Sequence, residues 1–91
     1  MKIYLGSDHA GFALKEKVKQ FLEHQGHEIA DLGAYSNHDG DDYPDFILPV
    51  AKSVAHDLIE GKESRGIIFG GSGQGEAMAA NRVDGVRAAV F

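Results

Sequence analysis

Three short β-prone runs, each closed by glycine and separated from the next by a helical stripe, constrain this chain more than any other feature. They are KIYLG from Lys2, HEIADLG from His27 and RGIIFGG from Arg65. In the third, Ile67, Ile68 and Phe69 follow one another and are apolar on both faces, as strands buried within a parallel sheet are. Between the first two runs, Leu14, Val18, Phe21 and Leu22 recur at helical spacing across Phe12 to Gln25. Gly26 stands where a left-handed residue would end that helix. Between the second and third runs, Phe46, Ile47, Val50, Val54, Ala55 and Leu58 form another stripe. Pro44 suits the first position of that helix. Pro49 lies past the first turn and lacks the amide a helix needs there, so a kink is expected, or a helix starting later than Pro44. A short helix from about Glu76 to Arg82 and a fourth strand, GVRAAVF, complete the pattern.

Strand–helix alternation implies βαβ units joined by right-handed crossovers. The predicted fold class is therefore α/β, a three-layer α/β/α doubly wound, Rossmann-like parallel sheet with four strands. The 91 residues fit a single domain, 1–91, without internal repeat or linker. A domain this small buries only about 60% of its unfolded surface, so its stability is expected to be thin. The last strand is followed by no helix to cover it, although parallel sheets are normally covered on both faces. Another chain is expected to shield that face, or these residues belong to a larger protein.

Composition excludes several function classes. The formal net charge of −5 argues against nucleic-acid binding, which requires a basic face. No cysteine is present, hence no disulfide, thiolate metal site or cysteine nucleophile. No two of the five histidines show convincing metal-ligand spacing, so neither metal nor cofactor is expected. No apolar run approaches the roughly 20 residues that span a bilayer. The apolar start before Gly6 is also too short for a signal-peptide core. The expected location is cytoplasmic, with no membrane partner.

In open α/β sheets ligands bind outside the carboxyl ends of the strands, and three chemistry-bearing stretches fall there. They are GSDHAG after the first strand, DDYPD after the second and GGSGQGE after the third. Gly70, Gly71, Gly73 and Gly75 can turn several backbone N–H groups toward one point, beside the positive N-terminus of a helix. The spacing is neither a Walker loop nor a dinucleotide fingerprint. Two readings remain: a tight turn with a helix cap, or a cradle for an oxyanion. Glu76 likewise suits the first turn of a helix, and would serve as a base if it faced a ligand and were partly desolvated. Asp8 and His9 set an acceptor beside a titratable donor at the mouth of the same cleft, and Asp8 also suits a cap of the first helix. Tyr43 offers a ring and a hydroxyl to the cleft or to the sheet edge. Asn81, on the short helix, can reach toward a ligand or face solvent.

Taken together, YLGSDHAGF, GHEIADLGAYS, DDYPDF and GIIFGGSGQGEAMAANRVDGVRAAV resemble the ribose-5-phosphate isomerase B family, which includes galactose-6-phosphate isomerase subunits. The stretches cover nearly the whole chain in family order. The resemblance implies aldose–ketose isomerisation of a small phosphosugar through a cis-enediolate. Most directly, this is ribose 5-phosphate to ribulose 5-phosphate. It makes Gly71, Ser72, Gly73 and Gly75 the cradle, and gives Ser72 a proton to move between the two sugar oxygens. Asp8, His9, Tyr43 and Asn81 would contact substrate. Where some members carry a cysteine base, this chain has Gly70; another branch uses a glutamate directly after the loop, where Glu76 stands. Family chains continue into a further helix, a fifth strand and a C-terminal helix, bringing a ring-opening histidine and phosphate-gripping arginines that these residues lack. Family sites also lie between subunits, so a homo-oligomer, dimer or higher, or a complementing chain is expected. Two function classes thus stay open: an isomerase, or a non-catalytic phosphosugar-binding module or incomplete fragment.

Overall fold

In the computed structural model of the chain, residues 1–8, 10–33, 44–70, 80, 81 and 85 are described. Strand and helix alternate as β1 (Lys2–Ser7), α1 (Phe12–His24), β2 (Glu28–Asp31), α2 (Pro44–Ile59) and β3 (Ser64–Phe69). The strands pair in the order β2-β1-β3, all parallel. Lys2 stands opposite both Glu28 and Ser64, and Leu5 opposite both Asp31 and Ile67. This register brings the carboxyl ends of all three strands to one edge. The expected α/β architecture is present, with one helix on each face of the sheet. The fourth strand was expected over residues 85–91, of which 86–91 lie outside the described residues. Ala80 and Asn81 are helical, where the short helix was expected.

The period of two along the strands divides the core. Ile3, Leu5 and Phe69 point to one face, where Val18 and Leu22 of α1 pack with Ile29 and Ile67. Ile68 points to the other, against Ile47 and Ala51 of α2 and against Ala80. The run Ile67-Ile68-Phe69 is therefore apolar because both faces are covered, as expected of a parallel strand. No helix among the described residues is long and apolar enough to cross a membrane.

The helix α1 corrects the expected stripe. Leu14 and Phe21 are 56% and 60% exposed, whereas Lys15 is completely buried. A backbone contact decides the rotation of the helix. A Cβ on Gly11 would lie 2.5 Å from the carbonyl oxygen of Phe69, so α1 comes down onto the end of β3 at a residue without a side chain. Positions 11, 15, 18 and 22 share one helical face, and that face meets the sheet. The end of α1 follows expectation: Gln25 is still right-handed and Gly26 turns to φ 90°.

The helix α2 bears on one of the two outcomes expected of Pro49, the later start. It begins at Pro44 and runs through Pro49 without a later start. Ile47 and Val50 are essentially fully buried, and Ala51 and Ala55 nearly so. A buried side chain of the size of Ile or Val contributes about 1.5–3 kcal/mol. Two of them offset the roughly 3 kcal/mol that an interior proline costs. The stripe ends sooner than its spacing suggests, since Leu58 is 62% exposed.

Candidate functional site

The carboxyl ends of the strands are tied together by main-chain hydrogen bonds. The Ser7 amide donates to the Gly33 carbonyl at 2.6 Å, and the Asp8 amide to the Phe69 carbonyl at 3.2 Å. These bonds join the exit of β1 to those of β2 and β3. Ser7 is completely buried. The Asp8 side chain accepts the Gly11 amide through Oδ1 at 2.9 Å. That bond captures the amide of the cap residue itself, and Gly11 makes no side-chain cap bond into α1. Asp8 thus orders the turn before the helix, an Asx-type use of aspartate.

Beneath this edge lies a buried ion pair. Lys15 Nζ donates to Asp31 Oδ1 at 2.9 Å, with side-chain exposures of 0% and 11%. Lys19 approaches Asp31 Oδ2 at 3.4 Å from one helical turn further on. Asp31 Oδ1 also accepts the Gly33 amide at 3.0 Å. The ammonium of Lys15 lies 5.1 Å from the centre of the Phe12 ring, a favourable placement for a cation. Burial works to raise the Asp31 pKa, but the Lys15 hydrogen bond, the Gly33 amide and the charges of both lysines outweigh it. The carboxyl is held below its ordinary value. Lysine is almost never fully buried unless paired, so this pair fixes α1 to the end of β2.

Of the residues singled out from sequence, Asp8 stands at the strand ends, partly buried. Asn81 is exposed on the helical turn beside the buried Ala80. His9, Tyr43, Gly71, Ser72, Gly73, Gly75 and Glu76 lie outside the described residues. Gly70, the first residue after β3, carries the chain from the tied edge into the glycine loop. Sequence reasoning missed Lys15 and Asp31. The signal available was spacing, since Lys15 lies four residues after Gly11 and so on the face that meets the sheet.

A second polar cluster lies at the opposite, amino end of the sheet. A cavity of about 350 Å³ there is lined by Lys2, Tyr4, Glu28, Asp57, Lys62 and Glu63. The Tyr4 hydroxyl donates to Asp57 at 2.8 Å, and Lys2 pairs with Glu28 at 2.5 Å. That hydrogen bond from Tyr4 is the main cause holding the Asp57 carboxyl below its ordinary value. Among the described residues, no group of three or more His, Asp or Glu is gathered to hold a metal ion.

Residues 3–91 match the protein family described as Ribose/Galactose Isomerase. The chain is 48% identical over 90 residues to ribose-5-phosphate isomerase B of Mycolicibacterium paratuberculosis, covering 99% of this chain and 54% of that protein. It superposes on a solved structure of Clostridium thermocellum ribose-5-phosphate isomerase B with a TM-score of 0.86 at 45% identity, over 98% of this chain and 57% of that one. A Mycoplasma genitalium ribose-5-phosphate isomerase B crystallised with bound ribulose 5-phosphate superposes with a TM-score of 0.85 at 38% identity, over 93% and 54% of the two chains. The chain thus spans about half the length of the relatives it matches.

Proposed function

Because the chain belongs to the Ribose/Galactose Isomerase family, we propose that it carries the proton-transfer site of a phosphosugar aldose–ketose isomerase. The substrate of this reading is ribose 5-phosphate, converted to ribulose 5-phosphate. The observation that carries it is the convergence of the β1, β2 and β3 exits, tied through Ser7, Gly33, Asp8 and Phe69, with Gly70 opening the glycine loop from that edge. Ligands of open parallel sheets bind at this place. The Mycoplasma genitalium relative, of like fold, was crystallised with ribulose 5-phosphate.

In this reading Glu76 removes the proton from C2 and returns it to C1. The backbone amides of Gly71, Ser72, Gly73 and Gly75 hold the enediolate oxygen as its charge develops. Ser72 moves a proton between the two sugar oxygens, while Asp8, His9, Tyr43 and Asn81 contact the substrate. The protein works as a homodimer or with a complementing chain. It acts in the cytoplasm, because a phosphosugar dianion does not cross a bilayer and is met where it is made.

Proton exchange at C2 of ribose 5-phosphate in heavy water, followed by NMR, tests the reading. Exchange by the purified protein that disappears in Glu76→Gln, with sugar-phosphate binding retained, is the expected result. No exchange, even on an open-chain analogue that bypasses ring opening, would overturn the catalytic reading and leave a phosphosugar-binding module.

A further inference from the structure

At the carboxyl edge of the sheet, the completely buried Lys15 is paired with a largely buried carboxylate, Asp31, that meets the main chain. Asp31 is the last residue of β2, and its Oδ1 takes two donors, Lys15 Nζ at 2.9 Å and the Gly33 amide at 3.0 Å. Gly33 is itself buried, with φ 118°, a left-handed region that favours glycine. Its carbonyl accepts the Ser7 amide at 2.6 Å, and the next amide, that of Asp8, is bonded to Phe69. A continuous chain of bonds therefore runs from Lys15 through Asp31, Gly33 and Ser7 to Asp8 and the end of β3. Every link after the first involves main chain at a strand exit.

We infer that Asp31, held in place by the buried Lys15, is a positioning residue for the phosphosugar site: its carboxylate fixes the turn at Gly33 and, through Gly33, the exit of β1. Asp31 itself touches no substrate in this scheme. It sets where the chain leaves β2 toward Tyr43 and where Asp8 stands relative to β3. Small displacements of this kind are costly to catalysis, since misplacing reacting groups by about 1 Å can lower a rate about 100-fold. Lys15 holds the carboxylate turned toward Gly33. Lys19, by contrast, approaches the other oxygen, Oδ2.

The test separates positioning from simple charge burial by comparing two charge-free pairs. Lys15→Met with Asp31→Asn keeps an oxygen that can accept the Gly33 amide; Lys15→Met with Asp31→Leu does not. Both remove the ion pair, so a purely structural role moves them alike. The expected result is that the Asn pair keeps the greater part of the parental kcat, less only what the loss of the Lys15 hold costs. The Leu pair should lose about tenfold or more in kcat, with KM changed less than about threefold. Amide hydrogen exchange at Gly33 and Ser7 should be faster in the Leu pair only. If the Leu pair does not fold, Asp31→Ala in the same background replaces it, with the same split expected. Equal kcat and equal Gly33 exchange in the two pairs would overturn the inference. So would the absence, in the unsubstituted protein, of a through-bond NMR coupling between the Gly33 amide nitrogen and the Asp31 carboxyl carbon. The kcat arm rests on the isomerase reading above. A parent protein without activity would remove that reading, and the exchange and coupling arms would still uphold or overturn the positioning.

Discussion

Ion pairs at opposite ends of one sheet do different things. At the amino end, Lys2 and Glu28 are 33% and 72% exposed and meet side chain to side chain. At the carboxyl end, Lys15 and Asp31 are 0% and 11% exposed, and the acid also captures a main-chain amide. Asp8 does the same with the amide of Gly11. Exposed pairs lose most of their attraction to water and to the entropy of holding two long side chains still. A buried carboxylate that accepts a backbone donor instead dictates where the chain runs. The comparison teaches that location in the sheet, and not the number of charges, separates a scaffolded site from a decorated surface.

The largest test of this difference is made at Gly11. A Cβ there would stand 2.5 Å from the Phe69 carbonyl oxygen and 2.6 Å from its carbon, and backbone cannot rotate aside. Gly11→Val should therefore cost about 3 kcal/mol, the upper end for overpacking, and most of the stability of so small a domain. Urea unfolding followed by circular dichroism measures it. Gly66→Ala is the control on the α2 face, where the new Cβ would meet side-chain carbons, Val50 Cγ1 at 2.7 Å and Val54 Cγ2 at 3.2 Å, and no backbone atom closer than 3.9 Å. Its cost should be nearer 1 kcal/mol. Equal effects would mean that α1 is not seated on the end of β3 more tightly than α2 on its middle.

Next in size is the ion pair itself. Lys15→Met alone leaves a largely buried carboxylate, and should cost about 3 kcal/mol at neutral pH, toward the lower end for breaking a buried pair because Lys19 stays near. Acid sharpens the assignment. The Asp31 pKa lies below its ordinary value of 3.8 when folded, so the stability it confers is present above that value. It is lost as pH falls through the folded pKa. The urea midpoint of the parent should decline from about pH 5 downward. In Lys15→Met that limb should flatten, because the ammonium that lowers the Asp31 pKa has gone. A limb of unchanged steepness would assign the acid sensitivity to the other end of the sheet, where the Asp57 carboxyl is also held low by Tyr4.

How far the sequence could be read differs between local pattern and long-range pairing. Strand and helix order, the parallel sheet and the stop at Gly26 follow from periodicity and glycine, which act over a few residues. The rotation of α1 does not. Leu14 and Phe21 have the right spacing for a core stripe, but the close approach at Gly11 and the pairing of Lys15 with a residue 16 positions away turn another face inward. A lysine on an amphipathic helix is ordinarily solvated, so nothing local marks Lys15 as buried. At Pro49 the later helix start did not follow, since the packing of Ile47 and Val50 outweighs one missing helical hydrogen bond. Asp8 was legible at the candidate site, because strand-end placement depends on topology alone. Asp31 was not, because its role depends on Lys15 and Gly33 together.

At the amino end, effects should be smaller and reach no main chain. Tyr4→Phe removes the donor to Asp57 and should lower the urea midpoint modestly, by less than Lys15→Met. In the parent the Asp57 hydrogen bond, with burial, raises the Tyr4 pKa above 10.0. The stability linked to that hydroxyl is therefore complete below pH 10.0 and lost as pH rises through the folded value. Tyr4→Phe should remove the alkaline limb while leaving the acid limb at Asp31 in place. Loss of both limbs together would mean that the two ends of the sheet are coupled.

The smallest effect is expected at Lys2. Its hydrogen bond to Glu28 raises the lysine pKa and lowers that of the acid, yet Glu28 is largely solvent-facing. Shifts of that kind record a contact more than a contribution, because water and salt compete for both charges. At about 1 M salt the Debye length shrinks to roughly 3 Å, comparable with the pair separation. Lys2→Ala should leave the urea midpoint within error of the parent at high salt and only slightly below it at low salt. Asp31→Asn, by contrast, should keep its deficit at high salt, because a charge that is 11% exposed is poorly screened. Equal salt sensitivity in the two variants would show that water reaches Asp31 as freely as Glu28. The carboxylate would then be too mobile to fix the turn at Gly33.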